Sequence, residues 1–224
     1  MLPLRAVKGV SFSLAQGETL GIVGESGCGK STLARAVLQL IEPTGGHVAW
    51  LGKDLVGLQK SELKPHRKDL QIVFQDPLAS LDPRMTISAS IGEPLKVFRP
   101  DLNATERKER VAEMMVRVGL DPSMINRYPH ELSGGQNQRV GIARAMINKP
   151  KLLICDEAVS ALDVSIKAQI LKLLKELQDE FGMAMLFISH DLSVVRSVSN
   201  RIMVLYLGRV VELAGRDAIF DKPR

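Results

Sequence analysis

Residues 18–41 read ETLGIVGESGCGKSTLARAVLQLI, and the middle of this stretch decides the architecture. ETLGIV (18–23) is short and apolar, as a buried strand should be. KSTLARAVLQLI (30–41) has helical length and stops before Pro43. Between them, Gly24-Glu25-Ser26-Gly27-Cys28-Gly29-Lys30-Ser31 fits G-x-x-x-x-G-K-[ST] without a mismatch. Glycines let the backbone curl until successive N–H groups point inward at phosphate oxygens. A helix starting near Lys30 adds the positive end of its dipole. In such a cradle Lys30 reaches the β- and γ-phosphates, the Ser31 hydroxyl is a Mg²⁺ ligand, and Cys28 fills a variable position. Strand before and helix after are the context that this chemistry requires.

Outward from the loop, short apolar runs alternate with helical patterns. GGHVAWLGKDL (45–55) has strand character between glycines and suits a hairpin. QIVF (71–74) is a further strand, followed by a looser Pro-rich region, DPLASLDPRMT (76–86). NATERKERVAEMMVRVGL (103–120) is an amphipathic helix. Asn103 caps it, Glu106 takes the capping-box position, and Val111, Met114, Met115 and Val118 form the apolar face. KLLIC (151–155) reads as a buried strand. SIKAQILKLLKELQDEF (165–181) is a helix with Ser165 as its cap and Gly182 as its close. MAMLFI (183–188) returns as a strand, and RIMVLYL (201–207) with RVVEL (209–213) forms a terminal hairpin turning at Gly208. Strands alternating with helices predict an α/β core around a mainly parallel sheet. Residues 76–148 show helices and no clear strand, so they read as a helical subdomain inserted into that core.

Composition narrows the function. The 224 residues are 45% hydrophobic and 25% charged, ordinary for a globular chain with a real core. Aromatics are only 4%, which disfavours stacking-based binding of single-stranded nucleic acid. A net charge of +5 reads as a mildly basic surface rather than a nucleic-acid footprint. Cys28 and Cys155 make no disulfide framework or metal spacing, which suits a reducing compartment. No apolar run approaches the roughly 18–20 residues needed to span a bilayer. The N-terminus lacks the apolar region and cleavage site of a signal peptide.

Two further stretches carry chemistry. In LLICDE (152–157) the apolar residues bury a strand and leave Asp156 at its carboxyl end, facing the phosphate loop. An acid there holds Mg²⁺. Glu157 beside it is free to polarise an attacking water. LSGGQ (132–136) opens a helical stretch and offers a second anion site from Ser133, Gly134, Gly135 and a helix N-terminus. One triphosphate needs only one cradle. Two sites in one chain make sense if each chain lends its second site to a neighbour's nucleotide.

With LSGGQ in place, the chain resembles the nucleotide-binding subunits of ATP-binding cassette (ABC) transporters over essentially its whole length. Gln75 matches the family's Q-loop glutamine, Ser160-Ala161-Leu162-Asp163 its D-loop, and His190 its switch histidine. The resemblance implies a P-loop α/β fold with an antiparallel β lobe and an inserted helical subdomain. The single nucleotide-binding domain spans 1–224, with 1–75 and 149–224 forming core and β lobe and 76–148 the helical subdomain. It implies head-to-tail dimers with ATP between the phosphate loop of one chain and the signature of the other. Gly24, Glu25, Ser26, Gly27, Cys28, Gly29, Lys30, Ser31 and Thr32 then hold the phosphates. Ser31, Gln75 and Asp156 serve Mg²⁺. Glu157 is the general base, and Lys30, Gln75 and His190 complete the catalytic set. Ser133, Gly134, Gly135 and Gln136 act on the partner's ATP, and Asp163 crosses the interface.

FQDPLASLDPRMTI (74–87) and ICDEAVSALDVSIKAQIL (154–171) are similar to the oligopeptide, dipeptide and nickel importers. The similarity runs closest to the second ATPase subunit of an oligopeptide importer and implies ATP-driven uptake of oligopeptides or dipeptides, with a partner ATPase subunit, identical or different, two membrane permease subunits and, indirectly, an extracytoplasmic solute-binding protein. It places the chain at the cytoplasmic face of a membrane, with no nucleic-acid partner. The competing expectation is a non-transport ABC ATPase of DNA repair or the ribosome, or an importer of nickel or another small solute. Ala158 stands where the family usually has proline, and Asn137 is unusual after the signature glutamine. The family's adenine-stacking aromatic falls at or before Met1, and its subgroup continues past IFDKPR (219–224), so both ends read as trimmed.

Overall fold

The structure is a computed structural model that describes residues 5–221. In chain order the elements are β1 (Thr19–Val23), α1 (Lys30–Val37), β2 (Ala49–Trp50), β3 (Lys53–Asp54), α2 (Lys60–Arg67), β4 (Leu70–Val73), α3 (Pro77–Ser80), α4 (Ile87–Phe98), α5 (Ala104–Arg117), α6 (Gly134–Met146), β5 (Leu152–Asp156), α7 (Val164–Phe181), β6 (Ala184–Ile188), α8 (Leu192–Val198), β7 (Arg201–Tyr206), β8 (Arg209–Gly215) and α9 (Arg216–Asp221). Short 3₁₀ turns cover Pro122–Asn126 and Pro129–Glu131.

Six strands form one sheet in the order β4-β5-β6-β1-β7-β8. The first five run parallel, and β8 returns antiparallel to β7. The alternation of side chains along a strand splits the core into two layers. Leu20, Ile22, Leu152, Ile154, Leu186 and Ile188 face one side, where α1, α2 and the β2–β3 hairpin pack. Val23, Leu153, Cys155, Met185, Phe187 and Ile202 face the other, against α4–α8. Continuous apolar strands are what a sheet covered on both faces requires.

Local chemistry sets most boundaries. Asn103 Oδ1 accepts from Glu106 N at 3.0 Å, and Glu106 Oε2 accepts from Asn103 N at 2.7 Å, closing the expected capping box on α5. Gly182 ends α7 in the left-handed conformation. β7 and β8 turn through Leu207 and Gly208, both at positive φ. Between Gln75 and β5 the described elements are all helical.

Some expectations fail in detail. α1 stops at Val37, not residue 41, because Gln39 turns to φ 52°. Asp163, not Ser165, is the residue before α7, and its side chain makes no capping bond. The Pro-rich region is more ordered than it reads. Asp76 caps α3 by accepting from Ala79 N at 3.1 Å, and Thr86 caps α4.

Candidate nucleotide site

The site lies where the parallel strands end at their carboxyl edge. Register places Ile22 of β1, Ile188 of β6 and Asp156 of β5 in one row, with Val73 of β4 beside Cys155. The residues just beyond this row belong to the phosphate loop, to Glu157, to Ser189-His190 and to Phe74-Gln75. Sheet register thus gathers segments more than a hundred residues apart.

The loop's shape depends on two of its glycines. Gly24 has φ 156°, and a Cβ there would press into the carbonyl oxygen of Leu205. Gly29, at φ 107°, caps α1, and a Cβ there would press into the carbonyl oxygen of Ala6. Only glycine suits either position. Lys30 is 5% exposed and folds back over the loop, donating from Nζ to Gly24 O at 2.7 Å and Glu25 O at 2.8 Å. Its ammonium therefore sits at the mouth of the cradle.

Ser31 Oγ donates to Asp156 Oδ1 at 2.8 Å, across the end of β6. Asp156 is 6% exposed. Burial pushes its carboxyl above the ordinary range and the neighbouring Glu157 charge adds to this, while Ser31, Arg35 and Lys30 pull it down. Glu157 is a non-glycine residue at φ 52°, a strained backbone of the kind that clusters at working sites. Three hydrogen bonds hold it there: Glu157 N donates to Ile188 O at 3.0 Å, and Glu157 O accepts from Ser160 N at 3.1 Å and Ser160 Oγ at 2.9 Å. Ala158, in the proline's place, is buried in the core. His190 Nδ1 lies 3.4 Å from Glu157 Oε2, with the imidazole exposed and the carboxylate largely covered.

Lys30, Ser31, Asp156, Glu157 and His190 therefore come together, as their sequence positions suggest. Gln75 lies exposed at the bend two residues past β4, on the same sheet edge. The signature stands apart. Ser133 caps α6, with Ser133 Oγ accepting from Gln136 N at 3.3 Å and Gln136 Oε1 accepting from Ser133 N at 2.9 Å. Among the described residues its side chains bond to one another and to Met124, not to the phosphate loop. Asp163 is exposed at the start of α7.

Three residues of this region were not singled out for a working role. Arg35, four residues beyond Ser31 and so on the same helix face, lowers the Asp156 pKa. Asn137 is fully buried, and its Nδ2 donates to Pro129 O at 3.0 Å and Leu132 O at 3.2 Å, tying down the backbone that enters the signature. Arg144 donates to Ser80 O at 2.7 Å. Asn137, Val140, Gly141 and Arg144 share one face of α6, so polar residues interrupting an apolar stripe were the legible signal.

A phosphate loop between strand and helix, with an acid at the end of the parallel strand one place beyond its neighbour in the sheet, defines a P-loop nucleotide-binding domain. The chain belongs to the ABC transporter family, whose model matches residues 7–160. It is 58% identical over 220 residues to the oligopeptide transport ATP-binding protein OppF of Escherichia coli K12, an alignment covering 98% of this chain and 66% of that protein. It is 55% identical to the oligopeptide transport ATP-binding protein AppF of Bacillus subtilis 168, covering 98% of this chain and 67% of that one. The chain thus spans about two thirds of the length of these relatives. Among solved structures, the dimeric post-hydrolysis state of the ATP-binding cassette MJ0796, bound to ADP and Pi, superposes with a TM-score of 0.85 at 34% identity. That match covers 94% of this chain and 90% of the other.

Proposed function

We propose that this chain is the ATP-hydrolysing subunit of a membrane importer and that its solute is an oligopeptide or dipeptide. The observation that carries hydrolysis is the cluster at the sheet edge: Lys30 at the cradle, Ser31 joined to Asp156 at 2.8 Å, and Glu157 pinned beside it within 3.4 Å of His190. Lys30 neutralises phosphate charge. Glu157, held by its own backbone bonds, takes a proton from the attacking water, and His190 steadies the γ-phosphate side. Gly24, Gly27, Gly29 and Thr32 complete the cradle.

Ser31 Oγ and Asp156 Oδ1 lie 2.8 Å apart, and burial beside Glu157 outweighs the pull of Arg35 and Lys30 on the carboxylate. Both features suit a hard divalent cation. Ser31, Asp156 and Gln75 would hold Mg²⁺, which when bound supplies charge neutralisation to the phosphates.

Peptide as the solute rests on the identity to OppF and AppF, both named for oligopeptide transport. This reading is preferred to a repair, ribosomal or nickel-import role. The chain works as one of two ATPase subunits, beneath two permease subunits fed by an external binding protein, at the cytoplasmic face of the membrane. None of the helices among the described residues is long and apolar enough to cross a membrane, so contact with the bilayer runs through those partners.

The test is co-expression with candidate permease genes. Co-purification of two membrane subunits, together with ATPase activity stimulated by a peptide-loaded binding protein, is the expected result. ATPase activity indifferent to every permease and peptide would overturn the importer reading.

A further inference from the structure

α6 carries different features at its two ends. Its first turn presents Ser133–Gln136, and Arg144 lies near its last turn, eleven residues on, or about 16 Å along the axis. Arg144 Nη1 donates to Ser80 O at 2.7 Å. Ser80 is the last residue of α3, where helix carbonyls lack internal partners and a cation is favoured. Arg144 is partly buried, and the charge of Glu93 of α4 acts on it.

α3 lies along α6. None of its four residues is buried. Its other side-chain bonds are local: Asp76 caps its start, and Ser80 Oγ donates to Pro77 O at 2.8 Å. Leu81, just beyond, anchors in the core. Among the described residues, Arg144 supplies the side-chain hydrogen bond that ties α3 to another element. Gln75 sits between β4, which the sheet holds, and α3, which lies along α6 and is bonded to it through Arg144.

We propose that Arg144 is a positioning residue: through α3 it holds Gln75 at the sheet edge that carries the Ser31–Asp156 pair, and it couples that placement to the helix presenting Ser133. The proposal rests on the reading of Gln75 as a ligand at the metal–phosphate site. A chain that touches its own nucleotide with Gln75 and a neighbour's with Ser133 then has both contacts on one lever.

The test compares Mg²⁺ activation of ATPase in the wild type, Arg144→Met and Arg144→Lys, alongside binding of a fluorescent ATP analogue in EDTA. Arg144→Met keeps the apolar stem and loses the donor. It should raise the half-saturating Mg²⁺ concentration about tenfold, the worth of one charge-assisted hydrogen bond. Metal-free nucleotide binding, which depends on the Lys30 cradle, should stay as in the wild type. Arg144→Lys still carries a donor and should shift the Mg²⁺ curve less, by about threefold. An unmoved curve in Arg144→Met, or an equal loss of metal-free binding, overturns the proposal. If Arg144→Met does not fold, the lysine variant decides: a shift in the same direction supports the proposal and an unmoved curve overturns it. A wild-type chain with no Mg²⁺-dependent ATPase at all would instead count against the proposed function.

Discussion

Asp156 is buried beside a second carboxylate, and both features raise its proton affinity. A folded-state pKa above the unfolded one means that folding favours the protonated acid. That contribution is fully present below the ordinary carboxylate range and is lost as pH rises through the raised value. At neutral pH the bare carboxylate therefore opposes folding, and the cation proposed to bind there would offset the opposition. Asp156→Asn keeps an acceptor for Ser31, so the nucleotide-free variant should show a higher Tm than the wild type at pH 7 in metal-free buffer. It should also lose the stabilisation that Mg²⁺ with nucleotide gives the wild type. A lower Tm without metal would mean that burial is not what raises this acid. Its neighbour has a different task. Glu157→Gln should cut turnover about 10²–10⁴-fold, the usual worth of a general base, while nucleotide binding persists. Normal hydrolysis by that variant would move the base elsewhere. Both acids were legible in the sequence because an apolar run ends at them abruptly. The positive φ of Glu157 was not, since it is imposed by Ile188 and by Ser160.

At the scale of elements, the signature is held from below as well as presented outward. Asn137 looks like a minor departure in the sequence, yet its buried amide joins two carbonyls on the backbone that leads into Ser133. Asn137→Ala strips Leu132 O of its amide donor and leaves Pro129 O with Leu132 N alone, and should cost about 1–3 kcal/mol, the penalty for a stranded buried polar group. Urea unfolding measures it, and a midpoint equal to the wild type would restore the view that Asn137 is incidental. Elements whose chemistry is local were readable in advance, such as α5 with its Asn103–Glu106 box and α7 with its Gly182 close. Others were hidden by conflicting local signals. α2 and α4 contain Pro65 and Pro94, and proline argues against a helix interior. The start of α7 was misread because Val164 is 84% exposed and so stands outside the apolar stripe that begins at Ile166. α3 is held by Arg144 from 64 positions away, which no local pattern records.

Across the whole molecule, the sheet decides what one chain can and cannot do alone. Parallel strands β1, β5 and β6 bring Lys30, Ser31, Asp156, Glu157 and His190 to one edge, which fits half of a nucleotide site. Ser133 and Gly134 are exposed at the tip of α6, and among the described residues the signature makes no hydrogen bond to the phosphate loop. Asp163 and Val164 are likewise exposed where α7 begins, an acid and a bare aliphatic side by side. On the proposed reading, a nucleotide seated on Lys30 meets Ser133 only if a second chain brings it. The solved relative MJ0796 is dimeric with ADP and Pi bound, which makes that arrangement physically reasonable. If hydrolysis needs both halves, specific ATPase activity of the isolated chain should rise with protein concentration, so that total rate grows toward the square of concentration when dimers are scarce. Ser133→Arg, which places bulk and charge where the partner's phosphate must sit, should suppress activity while leaving monomer nucleotide binding in place. Mixing it with excess Glu157→Gln chain should restore part of the rate, because one composite site then joins a sound cradle to a sound signature. Strict proportionality of rate to concentration down to dilute solution, with no rescue on mixing, would mean that the cradle is a complete site in itself.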